Sequence, residues 1–274
     1  DGGSAIKPSG TAIVPYGEAR LTAGVFNSTV SSGFTLRENG LIKVEGGTMT
    51  TNQIRTSVLG AGNIGGYVQS GGTVNVINPG STNSDYYHFC LTYTGNVFNM
   101  SGGTLHVYDA NGNTATSGGI LINSDPDNIN VTGGTVIAEI ESTTNPFKIT
   151  SKAPFYNLII RNTNDNTTDH ILDDGVGVGA TNVDLDAQPL VIYNDFTIEE
   201  NTFFDHQGED ITVGAGMSIS RDSQQQGTNN YGLLYNTSFP NKLTFNGTTS
   251  DTLYIGHDVS DGYELFVWDL DINK

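Results

Sequence analysis

A glycine pair followed by threonine returns through this chain in nearly the same phrase. Gln69-Ser70-Gly71-Gly72-Thr73-Val74-Asn75-Val76 becomes Asn99-Met100-Ser101-Gly102-Gly103-Thr104-Leu105-His106-Val107. It then becomes Asn130-Val131-Thr132-Gly133-Gly134-Thr135-Val136-Ile137-Ala138, and a weaker copy, Val44-Glu45-Gly46-Gly47-Thr48-Met49, precedes all three. The first glycines stand at 46, 71, 102 and 133, so the steps are 25, 31 and 31 residues. A turn-plus-strand recurring at about 20–50 residues marks a stacked repeat, because one such unit cannot bury its own apolar face.

Each copy ends a strand, turns on Gly-Gly and enters another strand at Thr. Val74 and Val76 alternate with Thr73 and Asn75, as Leu105 and Val107 do with Thr104 and His106, which sends one set inward and the other to solvent. Further apolar pieces at 54–59, 89–93 and 119–122 lie upstream of the next glycine pair, giving about three short strands per step. Three strands per turn, stacked, make a right-handed parallel β-helix, all-β and read here as a single continuous stack. Equivalent residues then lie about 4.8 Å apart, with the Gly-Gly-Thr phrases as one stacked corner and Asn99 above Asn130 as a short ladder. β-Sandwich modules are the alternative, since they too have many short strands, but they leave the fixed step unexplained.

Past residue 150 the Gly-Gly-Thr phrase gives way to a second one. Phe155-Tyr156-Asn157-Leu158-Ile159-Ile160 matches Val267-Trp268-Asp269-Leu270-Asp271-Ile272. Three segments result: residues 1–40 as an irregular N-terminal cap or preceding rung, 41–150 as rungs with Gly-Gly-Thr corners, and 151–274 as a continuing solenoid block of a second repeat type. The chain opens at Asp1-Gly2-Gly3 without a methionine and stops in a strand-like run, so it reads as a piece of a longer or processed polypeptide.

The charge balance restricts partners. There are 29 acidic and 11 basic residues, a net charge of −18. Nucleic acid requires clustered Lys and Arg, so it is excluded as a partner, and the same repulsion disfavours anionic polysaccharides and bare anionic membranes. No apolar stretch is long enough to span a bilayer. The single cysteine, Cys90, can form no internal disulfide and reads as a small buried strand residue; His88 beside it is the one hint of an activated thiol.

The phrases after 155 resemble the repetitive surface proteins of Bacteroidota exported by the type 9 secretion system, the family of the gliding adhesin SprB. The resemblance lies in Phe155 to Ile160, Asp195-Phe196-Thr197-Ile198 with Thr202-Phe203, Ile211-Thr212-Val213, Leu243-Thr244-Phe245-Asn246-Gly247-Thr248, Thr252-Leu253-Tyr254-Ile255, and Trp268 to Lys274. It implies a secreted or outer-surface location, adhesion, and the type 9 secretion and outer-membrane machinery as partners. It also implies glycosylation at Asp-Ser/Thr-apolar triplets, which Asp251-Thr252-Leu253 fits.

No catalytic or cofactor-binding residue is assigned from the sequence. Asp184 and Asp186 alternate onto one strand face with Asp173-Asp174 before them, a carboxylate pattern that glycoside hydrolysis would use. Arg161 and Arg221 stand without the basic cluster that cleavage of acidic sugars needs. Ser124-Asp125-Pro126-Asp127-Asn128 and Asn162-Thr163-Asn164-Asp165-Asn166 are oxygen-rich loops open to calcium, although neither has an EF-hand spacing and such residues make turns by themselves. The histidines (His88, His106, His170, His206, His257) show no zinc spacing, and Gly175-Val176-Gly177-Val178-Gly179 lacks the G-x-G-x-x-G form.

The expected function is therefore structural and adhesive. Such a segment would extend from a bacterial surface and present a face, with Tyr86 or Tyr108 among the aromatics able to stack on sugars, to a surface polysaccharide or other extracellular ligand. The alternatives are a β-helical polysaccharide lyase or hydrolase on the same scaffold, and a passive spacer.

Overall fold

The computed structural model describes residues 4–6, 12–28, 33–56, 65–77, 87–109, 119–140, 147–163, 170–172, 188–199, 202–219, 233–234, 241–248, 253–255 and 269–273. It is an all-β parallel solenoid whose strands fall into three columns. Among the described residues every strand pair is parallel, and partners lie about one rung apart in sequence, as expected when a chain winds round and meets itself one turn later.

Face one runs through Ser4–Ile6, Val25–Ser28, Thr48–Thr51, Thr73–Val76, residues 104–109, residues 135–140, Asn157–Asn162, Phe196–Ile198, Met217–Ile219 and Leu253–Ile255. Face two carries residues 12–14 and 34–36, then Ile54–Thr56, Phe89–Leu91, Gly119–Ile122, Phe147–Ser151, His170–Leu172, Phe203–Asp205 and Leu233–Leu234. Face three carries residues 16–21, 39–44, Gly66–Gln69, 97–100 and 129–131. Beyond an interruption it resumes as Leu190–Ile192, Ile211–Val213, Lys242–Phe245 and Asp269–Ile272. Strands within residues 4–44 thus pair into the same three columns as later ones. Among the described residues the helical element is one 3-10 turn, Pro126–Asn128.

Alternation builds the core. On face one, Met49, Val74, Leu105, Val136, Leu158, Phe196 and Met217 stand one above another and are at most 3% exposed. Each such burial contributes about 1.5–3 kcal/mol against the unfolded chain. Tyr67, Phe89 and Phe98 fill the middle of the stack, with Tyr67 edge-on to Phe89 at 5.1 Å. The Tyr67 hydroxyl donates to Gln69 Oε1 at 2.7 Å, and Gln69 Nε2 donates to the Thr104 carbonyl at 3.0 Å and to the corner carbonyls of Gly71 and Gly72. A fully buried amide is thereby satisfied at the glycine corner.

The Gly-Gly-Thr corners stack, with Thr48, Thr73, Thr104 and Thr135 in register. The two glycines serve different needs. Gly103 has φ +80°, which a side chain rarely adopts. Gly102 has no such angle, but a Cβ there would lie 2.6 Å from the Ser70 carbonyl oxygen of the rung before. One glycine makes the turn; the other lets the next turn sit on it.

A further corner of the same kind lacks the repeated phrase. Thr22-Ala23-Gly24 precedes Val25, which pairs with Thr48, and Gly24 has φ +82° while its carbonyl accepts from Thr48 N at 2.8 Å. Ala23 stands where later corners have their first glycine, and Val25 where they have Thr, so only the turn-making glycine survives. Asn99 and Asn130 do lie in register.

The two copies of the second phrase lie on different faces. Leu158 belongs to face one, opposite Val136 and Phe196, whereas Leu270 pairs with Leu243 on face three. The shared Leu-x-Ile pattern reports strand alternation, which all faces use, and not a common place in the rung.

Face three is interrupted at residues 152–156. Pro154 has no N–H to give to a ladder, and the rung keeps a single bridge, Phe155 to Ile192, with Phe155 N donating to the Val191 carbonyl at 2.9 Å. The corner also changes chemistry here. Asn157 occupies the register position of Thr135; its Nδ2 donates to the Gly134 carbonyl at 3.1 Å and its Oδ1 accepts from Asn194 Nδ2 at 2.8 Å. Asp195 Oδ1 then accepts from Gly216 N at 3.1 Å. Side-chain amide and carboxylate groups replace the glycine pair in joining successive corners.

Candidate functional site

Two outer surfaces lie near this change of rung. The first is a row on face one. Tyr108, Glu139 and Arg161 follow one another in register, and Glu199 stands one rung further on, its N–H donating to the Ile160 carbonyl. Alternation turns all four away from the core. His106 Nε2 donates to Glu139 Oε2 at 2.7 Å, and Arg161 Nη1 lies 3.4 Å from the same oxygen. Arg161 grips Glu199 with both sides of its fork, Nε to Oε2 at 2.6 Å and Nη2 to Oε1 at 2.8 Å.

This row ties four rungs together but offers no proton donor at Glu139. Burial pushes the Glu139 carboxyl up; the hydrogen bond and charge of His106, with Arg161, outweigh it and hold the group below the usual carboxylate range. A glycosidase acid needs the opposite shift. Glu199 has both oxygens engaged by one guanidinium, whose own pKa is raised chiefly by that hydrogen bond. Among the described residues the carboxyl that is held up is Glu209, through burial and then Asp210, but it sits in a turn where Asp210 Oδ1 caps Lys242 N at 2.8 Å.

The second surface is a depression of about 300 Å³ on face three, where the ladder is interrupted. Pro126 and Ile129 line it from one rung, Pro154 from the next, and Pro189, Val191 and Tyr193 from the one after, with Lys152 and Ala153 at its side. Tyr193 is 52% exposed, one of few large apolar side chains so placed among the described residues. The Lys152 backbone N–H donates to the Ile122 carbonyl at 2.9 Å. Among the described residues its ammonium pairs with no carboxylate.

Of the residues singled out in the sequence, Asp173, Asp174, Asp184, Asp186, Arg221, Tyr86, His257, Thr252 and residues 164–166 lie outside the described residues. Asp125-Pro126-Asp127-Asn128 forms the 3-10 turn, with Asp125 N and Asn128 Nδ2 both donating to the Thr94 carbonyl and the two aspartates exposed. Among the described residues no group of three or more His, Cys, Asp and Glu is placed to hold a metal. His88 and His206 are buried, and His206 Nδ1 accepts from Gly208 N at 2.9 Å. Tyr108 lies beside His106, ring centroids 5.9 Å apart. Cys90 is buried with Tyr87 and Leu121, and burial pushes its thiol up to about 11, which leaves little of the nucleophilic thiolate near neutral pH.

Arg161, which stands alone in the sequence, is therefore held between two carboxylates. Glu139 and Glu199 carry no local sequence signal; they become neighbours only once rungs of 22 and 38 residues are superposed. Tyr193 is not singled out in the sequence, although alternation from the buried Leu190 and Ile192 turns it outward.

No protein-family model matches the chain, and neither does any curated protein or any solved structure.

Proposed function

We propose that this chain is a structural and adhesive segment of a secreted or cell-surface bacterial protein, extending from the surface and presenting its outer faces to a polysaccharide or other extracellular ligand. The observation that carries the reading is the unbroken register of face one, in which ten strands stack from Ser4–Ile6 to Leu253–Ile255. At about 4.8 Å per rung they make a stiff rod roughly 45 Å long. Cross-rung polar ladders reinforce it, and the resemblance of residues 155–274 to type 9-secreted adhesins supports display at the outer surface. Repetition of weak contacts along such a rod gives adhesion without a deep site.

The test is retention of the purified chain on immobilised neutral polysaccharides, with release of reducing ends and of unsaturated products followed in the same wells. The reading expects retention without release. Release would make the chain a carbohydrate-active enzyme, and absence of both would make it a spacer. Antibody labelling of intact cells tests display: a signal only after lysis rejects the surface location.

A further inference from the structure

We propose that the depression on face three, bounded by Ile129, Pro154, Val191 and Tyr193, is a subsite for an uncharged sugar residue. This rests on the adhesive reading above and names the ligand class of one of its surfaces.

The chemistry of the walls selects the ligand. The lining is mixed, about as much polar as apolar surface, and three prolines stiffen it: Pro126, Pro154 and Pro189 have fixed φ, so little ordering is needed when a ligand binds. At about 300 Å³ it is at the small end of ligand sites. Tyr193 offers an exposed ring, a flat apolar surface with a polar tip. Hydrogen-bonding groups of both signs are at hand. Lys152, in the lining, brings an ammonium donor that pairs with no carboxylate among the described residues, and Asp125 and Asp127, the sequence neighbours of the lining residue Pro126, are exposed acceptors. A sugar ring has the matching form, a C–H face and an edge of hydroxyls that donate and accept.

Charge decides against an anionic sugar. The chain carries −18, and the two aspartates lie within about a Debye length of a ligand on Pro126, so such a ligand is repelled. A neutral ligand escapes this penalty. The site also lies where the backbone ladder is already broken, so occupancy displaces no sheet hydrogen bond.

The experiment uses the full 274-residue chain. Maltotriose, cellotriose and mannotriose are titrated against it with saturation-transfer NMR, and trigalacturonate serves as the anionic control. At least one neutral trisaccharide is expected to bind, and trigalacturonate at least tenfold more weakly. Tyr193→Ala is expected to weaken binding at least tenfold, Tyr193→Phe to stay within about twofold, and Lys152→Gln to weaken it about three- to fivefold. Tyr193 is half exposed, so these variants fold, which an unchanged melting temperature verifies. No binding by any neutral trisaccharide, preference for trigalacturonate, or indifference to Tyr193→Ala overturns the subsite. Retention on polysaccharide is measured on the same variants. Wild-type retention by Tyr193→Ala removes the subsite and spares the adhesive reading, whereas trisaccharide binding without retention of the wild type removes the adhesive reading and spares the subsite.

Discussion

Arg161 and Glu199 stand 38 residues apart in the chain and one rung apart in space, joined by two parallel hydrogen bonds of 2.6 and 2.8 Å. The same guanidinium reaches back to Glu139, which also accepts from His106. The row spans the interruption on face three, so it binds the Gly-Gly-Thr rungs to those that follow where the opposite ladder is weakest.

Removing the cation should therefore cost more than an ordinary surface pair. Arg161→Met leaves Glu139, 6% exposed, with His106 alone, and leaves Glu199 unpaired. Charge-assisted hydrogen bonds of partly buried groups contribute about 1.5–3 kcal/mol, and solvent screening discounts this toward about 1–2 kcal/mol. The melting temperature should fall for Arg161→Met and recover in part when Glu139→Gln is added. A double variant no better than the single would show that the two groups are not coupled.

The pH dependence has a definite sign. Glu139 is held below its ordinary value of 4.5, so folding favours its charged form. It contributes stability that is fully present above that ordinary value and is lost as pH falls through the lower folded value. Thermal unfolding followed from pH 6 downward should show the wild type losing stability below about pH 4.5 more steeply than Glu139→Gln. Parallel curves would exclude Glu139 as a contributor.

The glycine corners provide a graded series. Gly102→Ala places a Cβ 2.6 Å from the Ser70 carbonyl, and Gly103→Ala meets both a φ of +80° and the Gly72 carbonyl at 2.6 Å. Each should cost about 1–3 kcal/mol through overpacking against backbone that cannot retreat. Gly17 separates the two causes: its φ is +111° and an added Cβ would meet nothing within 4 Å, so Gly17→Ala suffers backbone strain alone and should cost less than Gly103→Ala, which suffers strain and clash together. Equal losses at Gly17 and Gly103, with none at Gly102, would show that stacking clearance is irrelevant.

These corners were legible because glycine is the one residue that meets both demands, and its recurrence leaves a mark in the chain. Where one demand lapses the mark fades, as at Ala23-Gly24. Where a different chemistry joins the corners, as Asn157 does with Asn194, the phrase disappears although the winding continues. The Leu-x-Ile pattern misleads for the opposite reason: every face needs it, so Leu158 and Leu270 share a phrase without sharing a face. The Glu139–Arg161–Glu199 row was hidden because rung lengths vary, and contacts across rungs have no constant offset in sequence. Tyr193 faces outward by alternation from Leu190 and Ile192, but that it shares a depression with Pro154 one rung away is a relation that local sequence around either residue does not disclose.

Cys90 offers a last check on how closely face two is covered. Its thiol is buried, its Sγ lies 3.3 Å from Thr92 Oγ1, and burial pushes its pKa up to about 11. The reactive thiolate is therefore scarce at neutral pH, and a reagent must also wait for Tyr87 and Leu121 to move aside. A chromogenic disulfide reagent at about pH 7.5 should label the native chain at least a hundredfold more slowly than the chain unfolded in concentrated guanidinium chloride. Cys90→Ser should leave the melting temperature within a few degrees, because Thr92 can hydrogen-bond the new hydroxyl. Rapid native labelling would mean that this part of face two opens readily, and that the stiffness ascribed to the stack does not extend across it.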